Sequence, residues 1–167
     1  IAADTSANHF DGKLKSSTSH LSSYWSSEEC KVGGCLQFDG TNYVEPTNLR
    51  SKIDLLGGEG SSGAITISAW IKPTDLNNLR YFANGFPSLY YLGIDSDDNL
   101  KAMTYCDPIC SGSANNYWPT SNGKMAVDTW KHIVFVLEGE KGHTFYIDGI
   151  SEGFVSNQNI YLKDQTE

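Results

Sequence analysis

Residues 64–72 alternate between apolar and other side chains more regularly than any other part of the chain. A period of two is that of a β-strand with one buried face, whereas a helix repeats every 3.6 residues. The aliphatic positions are Ile65, Ile67, Ala69 and Ile71, and the opposite positions are Thr66, Ser68, Trp70 and Lys72. The segment therefore predicts a β-strand, which Pro73 ends.

Other short apolar segments, separated by Gly, Asn and Asp, predict further strands. These segments are residues 36–38, 43–44, 79–83, 89–95, 99–105, 130–137 and 143–147. Residues 1–29 and 106–124 show little periodicity and are expected to be irregular. We expect Trp70 and Trp130, which lie within predicted strands, to be buried in the core. Short strands without a convincing helix predict an all-β sandwich or barrel, and the absence of a linker predicts one domain over residues 1–167.

The charge of the chain excludes several classes of partner. The formal net charge is −8, and arginine occurs only at positions 50 and 80. Nucleic acid and anionic membrane surfaces would be repelled, since no cluster of basic residues overcomes this charge. No segment approaches the run of about 18 apolar residues that a membrane-spanning helix needs. Neutral partners or a divalent cation are expected instead.

The four cysteines form two close pairs in the sequence, Cys30/Cys35 and Cys106/Cys110. Sequence alone does not choose among the possible connectivities, but each close pair brackets a turn. The Ser/Thr/Asn-rich composition and the lack of a Cys-x-x-Cys motif favour two local disulfides in an oxidising compartment. Zinc coordination is the alternative, because the spacing does not exclude it.

Five phrases of the sequence, in order along the chain, resemble those of laminin-G-like, concanavalin A-like jelly-roll domains. They are residues 4–8 (DTSAN), 35–44 (CLQFDGTNYV), 65–73 (ITISAWIKP), 130–136 (WKHIVFV) and 145–149 (FYIDG). Any single phrase is weak, whereas five phrases in the same order over nearly the whole chain identify the family.

The resemblance implies an all-β, two-sheet antiparallel β-sandwich, which the strand pattern also predicts. It further implies a lectin-like or protein-binding module of a larger secreted or surface protein that serves adhesion. Such domains commonly end with a strand of the type GxIDEVRIY, which residues 162–167 (LKDQTE) do not match. We therefore expect that the closing strand of the sandwich is missing from this chain, is rearranged, or is supplied by another segment.

A glycan site needs an aromatic platform for the apolar sugar face, with amide or carboxylate groups at its edge. The longest irregular segment supplies this combination with Tyr117 and Trp118 beside Asn115 and Asn116. Neighbouring strands are expected to bring Tyr90, Tyr105 and Asp95 close to this platform. The alternative is that Trp118 covers an edge of the sandwich.

Calcium is the cofactor that the sequence suggests, as a structural ion. Asp39, Gly40 and Asn42, with Asp4, supply the hard oxygen ligands that calcium prefers. The alternative at this position is an Asp-Gly turn that Asn42 caps. Residues 95–99 (DSDDN) match the opening of a calcium loop, but Leu100 replaces the required glycine, and a polar turn is the better interpretation.

No pattern in the sequence predicts catalysis. Glycosidases of this fold carry alternating carboxylates on one strand, and retaining hydrolysis needs two carboxyls about 5–5.5 Å apart. Glu138 and Glu140 are two residues apart, but they flank Gly139 in a predicted hairpin loop. His132 lies within a predicted strand, where a packed or hydrogen-bonded histidine is the ordinary interpretation. We therefore expect a binding module and no catalytic residues.

Overall fold

The structure, a computed structural model, describes residues 2–7, 9–17, 25–46, 64–76, 80–85, 90–105, 116–117, 119–138 and 141–156. Within these ranges the chain forms thirteen β-strands, and every strand pairing is antiparallel. The strands are β1 (Gly12–Ser16), β2 (Trp25–Ser26), β3 (Cys35–Leu36), β4 (Asn42–Pro46), β5 (Ala64–Ile71), β6 (Arg80–Gly85), β7 (Tyr90–Ile94), β8 (Asn99–Tyr105), β9 (Asn116–Tyr117), β10 (Thr120–Lys124), β11 (Lys131–Glu138), β12 (Gly142–Ile147) and β13 (Ile150–Ser156). The all-β, antiparallel fold class is confirmed.

The chain divides into two compact units, Ile1–Asp54 and Leu55–Glu167, which are called the N-terminal and C-terminal units below. The N-terminal unit contains two ribbons, β1 paired with β4 and β2 paired with β3. The disulfide Cys30–Cys35 closes the loop before β3, as predicted. Cys106 and Cys110 lie outside the described residues, and the prediction of one domain stays a prediction.

The C-terminal unit contains two larger sheets. The first sheet has the strand order β13-β12-β11-β5, and the second has the order β10-β8-β7-β6, with β9 also paired to β8. In the first sheet, β11 pairs with β5 from Lys131 opposite Ile71 to Glu138 opposite Ala64 without a register shift. This regular pairing follows from the clean alternation of residues 64–72, because a strand with one aliphatic face has only one register that buries it.

The core lies between these two sheets. The first sheet contributes five buried side chains, the second sheet four, and Met125 follows β10. They are Ile133, Phe135, Leu137, Phe145 and Ile147 from the first sheet and Leu92, Ile94, Leu100 and Ala102 from the second. Ile65, Ile67, Ala69 and Ile71, the predicted aliphatic face, pack partly buried against this core. The C-terminal unit is therefore a β-sandwich, and its inner face follows the alternation in the sequence.

Several sequence predictions were wrong. Trp70, expected in the core, is 44% exposed, because Ile65, Ile67 and Ile71 take the inner positions of β5 and leave Trp70 on the opposite face. Residues 1–29 contain β1 and β2, and the expected irregular segment 106–124 contains β9 and β10. Trp130 is only partly buried. Among the described residues, no helix has the length and apolar character to span a membrane.

Candidate functional site

Strand pairing in the second sheet places four of the residues predicted to bind a glycan at adjacent register positions, two on each face of the sheet. Tyr90 on β7 and Tyr117 on β9 both lie opposite Thr104 on the intervening strand β8. Tyr105 lies opposite Asn116, one step further along the same strands, so these two residues lie on the opposite face of the sheet from Tyr90 and Tyr117. Since neighbouring strands lie about 4.8 Å apart, the backbones of Tyr90 and Tyr117 are about 10 Å apart. We call Tyr90, Tyr105, Asn116 and Tyr117 the tyrosine cluster.

The other three residues predicted to bind a ligand are not part of the tyrosine cluster. Asn115 and Trp118 lie outside the described residues, although each adjoins β9. Asp95 follows β7 at the end opposite to Tyr90, about 16 Å along the strand at 3.3 Å per residue. Its buried carboxylate accepts the backbone N–H groups of Asp97 (2.9 Å) and Asn99 (3.0 Å). Asp95 therefore organises the β7–β8 turn and is not near the tyrosine cluster.

The outer face of the first sheet carries aromatic side chains that the sequence predictions did not assign to a site. Trp70 on β5 lies opposite His132 on β11, and their ring centroids are 5.1 Å apart. The His132 ring is also hydrogen-bonded to Ser68, with 2.9 Å between Nε2 and Oγ. The interpretation of His132 as a packed, hydrogen-bonded histidine is confirmed. The sequence could have indicated the exposure of Trp70, because Trp70 lies on the same face of its strand as Thr66 and Ser68. Polar neighbours favour a solvent-exposed face.

Ionic and backbone contacts fix the start of β11 next to this stacked pair. The Asp148 carboxylate accepts hydrogen bonds from Lys131 Nζ (2.7 Å) and from the His132 backbone N–H (2.9 Å). The Asp148 backbone N–H in turn donates to the His132 carbonyl at 2.7 Å. Asp148 has a positive φ of 52° in the turn before Gly149. These contacts hold the His132 backbone in place, and the charges of Lys131 and Asp148 neutralise each other beside the rings.

The residues predicted to bind calcium form turns within the N-terminal unit. Asp39 Oδ1 accepts hydrogen bonds from the Thr41 N–H and from Thr41 Oγ1, both at 2.8 Å. Asn42 Oδ1 accepts the Asp39 N–H at 3.0 Å, and Gly40 has a φ of +85°. These are the contacts of an Asp-Gly turn that Asn42 caps. Asp39 Oδ1 and Asn42 Oδ1 therefore already accept hydrogen bonds within the turn.

Asp4 makes a similar set of contacts. Its carboxylate accepts the N–H groups of Ser6 (2.8 Å) and Phe10 (2.7 Å) and the Ser6 hydroxyl (2.9 Å). Hydrogen bonds from Ser6 and Phe10 lower the pKa of Asp4, and those from Thr41 lower the pKa of Asp39. The described residues contain no group of three or more His, Cys, Asp or Glu side chains that could hold a metal ion. The Asp4 and Asp39 carboxylates accept hydrogen bonds from nearby residues, which fits turns better than a cation site. Calcium binding stays a prediction.

Of the two carboxylates considered for catalysis, Glu138 and Glu140, the structure describes Glu138. Glu138, at the end of β11, is half exposed and lies 3.3 Å from Lys141 Nζ. Glu140 lies outside the described residues. The Glu138 carboxylate is therefore a solvated hairpin group in an ion pair.

Comparison with known protein families adds one finding. The family model described as the concanavalin A-like lectin/glucanases superfamily (Laminin_G_3) matches residues 38–166, which is more than half of the chain. No curated protein matches the sequence, and no solved structure matches it.

Proposed function

The chain belongs to the concanavalin A-like lectin/glucanases superfamily, and on this premise we propose that it is a non-catalytic, lectin-like carbohydrate-binding module. Laminin-G-like domains are generally non-catalytic modules that bind ligands and occur within larger proteins. The module would serve adhesion in a secreted or surface protein. The disulfide Cys30–Cys35 supports this location, because disulfides persist in oxidising compartments.

The observation that carries the proposal is the tyrosine cluster. Three strands of the second sheet place Tyr90 and Tyr117 at adjacent register positions on one face, and Tyr105 beside Asn116 on the other face. Aromatic rings offer flat apolar surfaces to the C–H faces of sugars, and an amide beside them exchanges hydrogen bonds with sugar hydroxyls. Trp118 and Asn115 adjoin the cluster in the sequence and would complete it. The net charge of −8 favours neutral over anionic glycans.

A glycan array probed with the domain, with and without added calcium, tests this proposal. We expect wild-type protein to bind neutral glycans, and Trp118→Ala and Tyr117→Ala to lose those signals while the free energy of unfolding falls by no more than about 1 kcal/mol. Trp25→Ala is the matched control, because Trp25 is 53% exposed and lies in the N-terminal unit. An array without signals would refute glycan binding. Signals that persist in both variants would refute this site.

A protein-binding or structural module is the alternative function. Exposed apolar side chains in the N-terminal unit favour it, since such groups are enriched where proteins associate. They are Trp25 (53% exposed), Val32 (79%), Phe38 (52%) and Tyr43 (51%). If this alternative holds, the array stays silent and Trp25→Ala weakens binding to an extracellular protein ligand.

A further inference from the structure

Each of the four strands of the first sheet places one aromatic ring on the outer face. Trp70 comes from β5, His132 from β11, Tyr146 from β12 and Phe154 from β13. Trp70 and Phe154 are 44% and 59% exposed, and His132 and Tyr146 are partly exposed. We call these four side chains the aromatic row. Singly exposed aromatics are common, but one ring from each of four adjacent strands is not expected from scatter.

The register of the strands sets the rings along a diagonal. Trp70 lies opposite His132, and Tyr146 lies opposite Val134, which is two residues beyond His132 on β11. Phe154 lies opposite Thr144, two residues further along β12. Diagonal neighbours in a sheet are about 7–8 Å apart, so the row extends over about 20 Å. That length accommodates several sugar residues of a chain and exceeds what one monosaccharide would occupy.

An irregularity in β13 puts Phe154 on the outer face. The β12–β13 register shifts between Thr144 and Tyr146, which lie opposite Phe154 and Ser151 respectively. Three steps on β13 thus match two steps on β12, as in a β-bulge, and Gly153 within it has a φ of +118°. Without the extra residue the side chain of residue 154 would point inward, because a shift of one residue reverses the face.

Packing also orients the outermost rings of the row. A Cβ atom on Gly142 would lie 2.9 Å from Cε2 and Cζ of Phe154, so this ring lies directly over the glycine backbone. At the other end, the hydrogen bond between Ser68 Oγ and His132 Nε2 holds His132 against Trp70. The rings at both ends are therefore positioned before any ligand arrives, which reduces the entropy lost on binding.

Lys72 beyond Trp70, and Glu138 with its ion-pair partner Lys141 at 3.3 Å, carry charge at the two ends of this face, whereas the side chains between the rings are small and uncharged. On the described outer face they are Thr66 and Ser68 on β5, Val134 and Val136 on β11, Thr144 on β12 and Ser151 on β13. The charged pair Lys131–Asp148 lies at one end and is internally neutralised at 2.7 Å. Hydroxyl groups beside aromatic rings suit a ligand with alternating apolar faces and hydroxyl edges.

We propose that the aromatic row binds an extended neutral polysaccharide chain across the outer face of the first sheet. The ligand class rests on the proposed carbohydrate-binding function, but the surface is on a different sheet from the tyrosine cluster. Flat rings stack on the C–H faces of successive sugars, and the Ser and Thr hydroxyls exchange hydrogen bonds at their edges. The uncharged side chains between the rings, together with the acidic chain, favour neutral over anionic polysaccharides.

The test is affinity electrophoresis and titration calorimetry with soluble β-glucan, mannan and xyloglucan, and with polygalacturonate as the anionic probe. We expect Trp70→Ala and Phe154→Ala each to weaken binding of a neutral chain about tenfold, or about 1.4 kcal/mol, since each removes one stacking contact. Trp70→Phe should retain most of the affinity because it keeps a ring. Trp25→Ala is the control, and a thermal melt checks that each variant is folded.

The outcomes separate this proposal from the proposed function. If wild-type protein binds no glycan, both are refuted. If neutral glycans bind and Trp70→Ala and Phe154→Ala bind as wild type does, the aromatic row is refuted and the carbohydrate-binding function stands. The row is also refuted if these substitutions change only the oligomeric state in size-exclusion chromatography, since the face would then bind a second copy. Loss of chain binding in both variants with retention in Tyr117→Ala supports the row.

Discussion

Replacing Phe135 with alanine tests which face of β11 lies in the core. Phe135 is 1% exposed, and its ring centroid lies 5.1 Å from that of Phe145 and 6.3 Å from that of His143. Removal of a buried Phe side chain costs about 3–5 kcal/mol, because apolar burial is lost and a cavity remains. The tilted pair with Phe145 contributes roughly 0.5–1.5 kcal/mol to this cost beyond its buried area.

The matched control is Phe154→Ala, which removes the same side chain from the outer face of the same sheet. Phe154 is 59% exposed, so its removal should lower the free energy of unfolding by about 1 kcal/mol or less. Phe135→Ala should therefore lower the urea midpoint by roughly 1.5–2.5 M, with the slope unchanged, at a typical slope of about 2 kcal/mol/M.

Urea titration followed by tryptophan fluorescence and circular dichroism measures both variants. Coincident transitions by the two probes would support two-state analysis. A loss below about 1 kcal/mol for Phe135→Ala, or equal losses for the two variants, would refute the assignment of inner and outer faces. The aromatic row would then lose its structural basis, because it requires the outer face to be exposed.

Two further predictions concern the N-terminal unit. Replacing both Cys30 and Cys35 with serine should lower the free energy of unfolding by about 2 kcal/mol, as expected for a short closed loop, and a urea titration that shows no change would contradict this. Hydrogen bonds lower the pKa of Asp4 and Asp39 below the ordinary value of 3.8, so their stabilising contribution is present above that pH and is lost as pH falls through the lower folded value. Thermal melts from pH 5 to pH 2.5 should therefore show a smaller acid-induced decrease in Tm for Asp39→Asn than for wild type, and identical slopes would contradict this.

Three strands of the first sheet, β5, β11 and β12, could be predicted because their side chains alternate strongly, whereas β13 was not predicted. Ile133, Phe135 and Leu137 are buried as the pattern of residues 130–137 indicates. The strand β10 could not be predicted, since its sequence TSNGK has no apolar alternation. It is held by its neighbour, because the buried Ser121 hydroxyl accepts the Leu100 N–H at 3.0 Å and donates to the Gly123 carbonyl at 2.7 Å.

The candidate sites were predictable to different degrees. The grouping of Tyr90, Tyr105 and Tyr117 was expected from adjacent strands, although the two-residue strand β9 that brings Tyr117 there has no pattern of its own. The aromatic row could not be predicted from the sequence, because the position of its fourth ring, Phe154, depends on the bulge at Gly153. A bulge adds a residue and breaks the period of two, so simple alternation assigns the wrong face to Phe154.

The exposure of Trp70 follows from how both faces of β5 pack in the sandwich. Alternation tells which residues of β5 share a face, and the large size of tryptophan suggested burial for that face. The opposite face of β5 is aliphatic at every position from Ile65 to Ile71 and already packs on the core. In a two-layer sandwich only one face of each strand can meet that core, so a ring that shares its face with Thr66 and Ser68 must lie outside it. A bulky aromatic side chain on the polar face of a sandwich strand is thus better evidence for a ligand surface than for the core, and the ordered contacts of His132 and Phe154 strengthen that inference here.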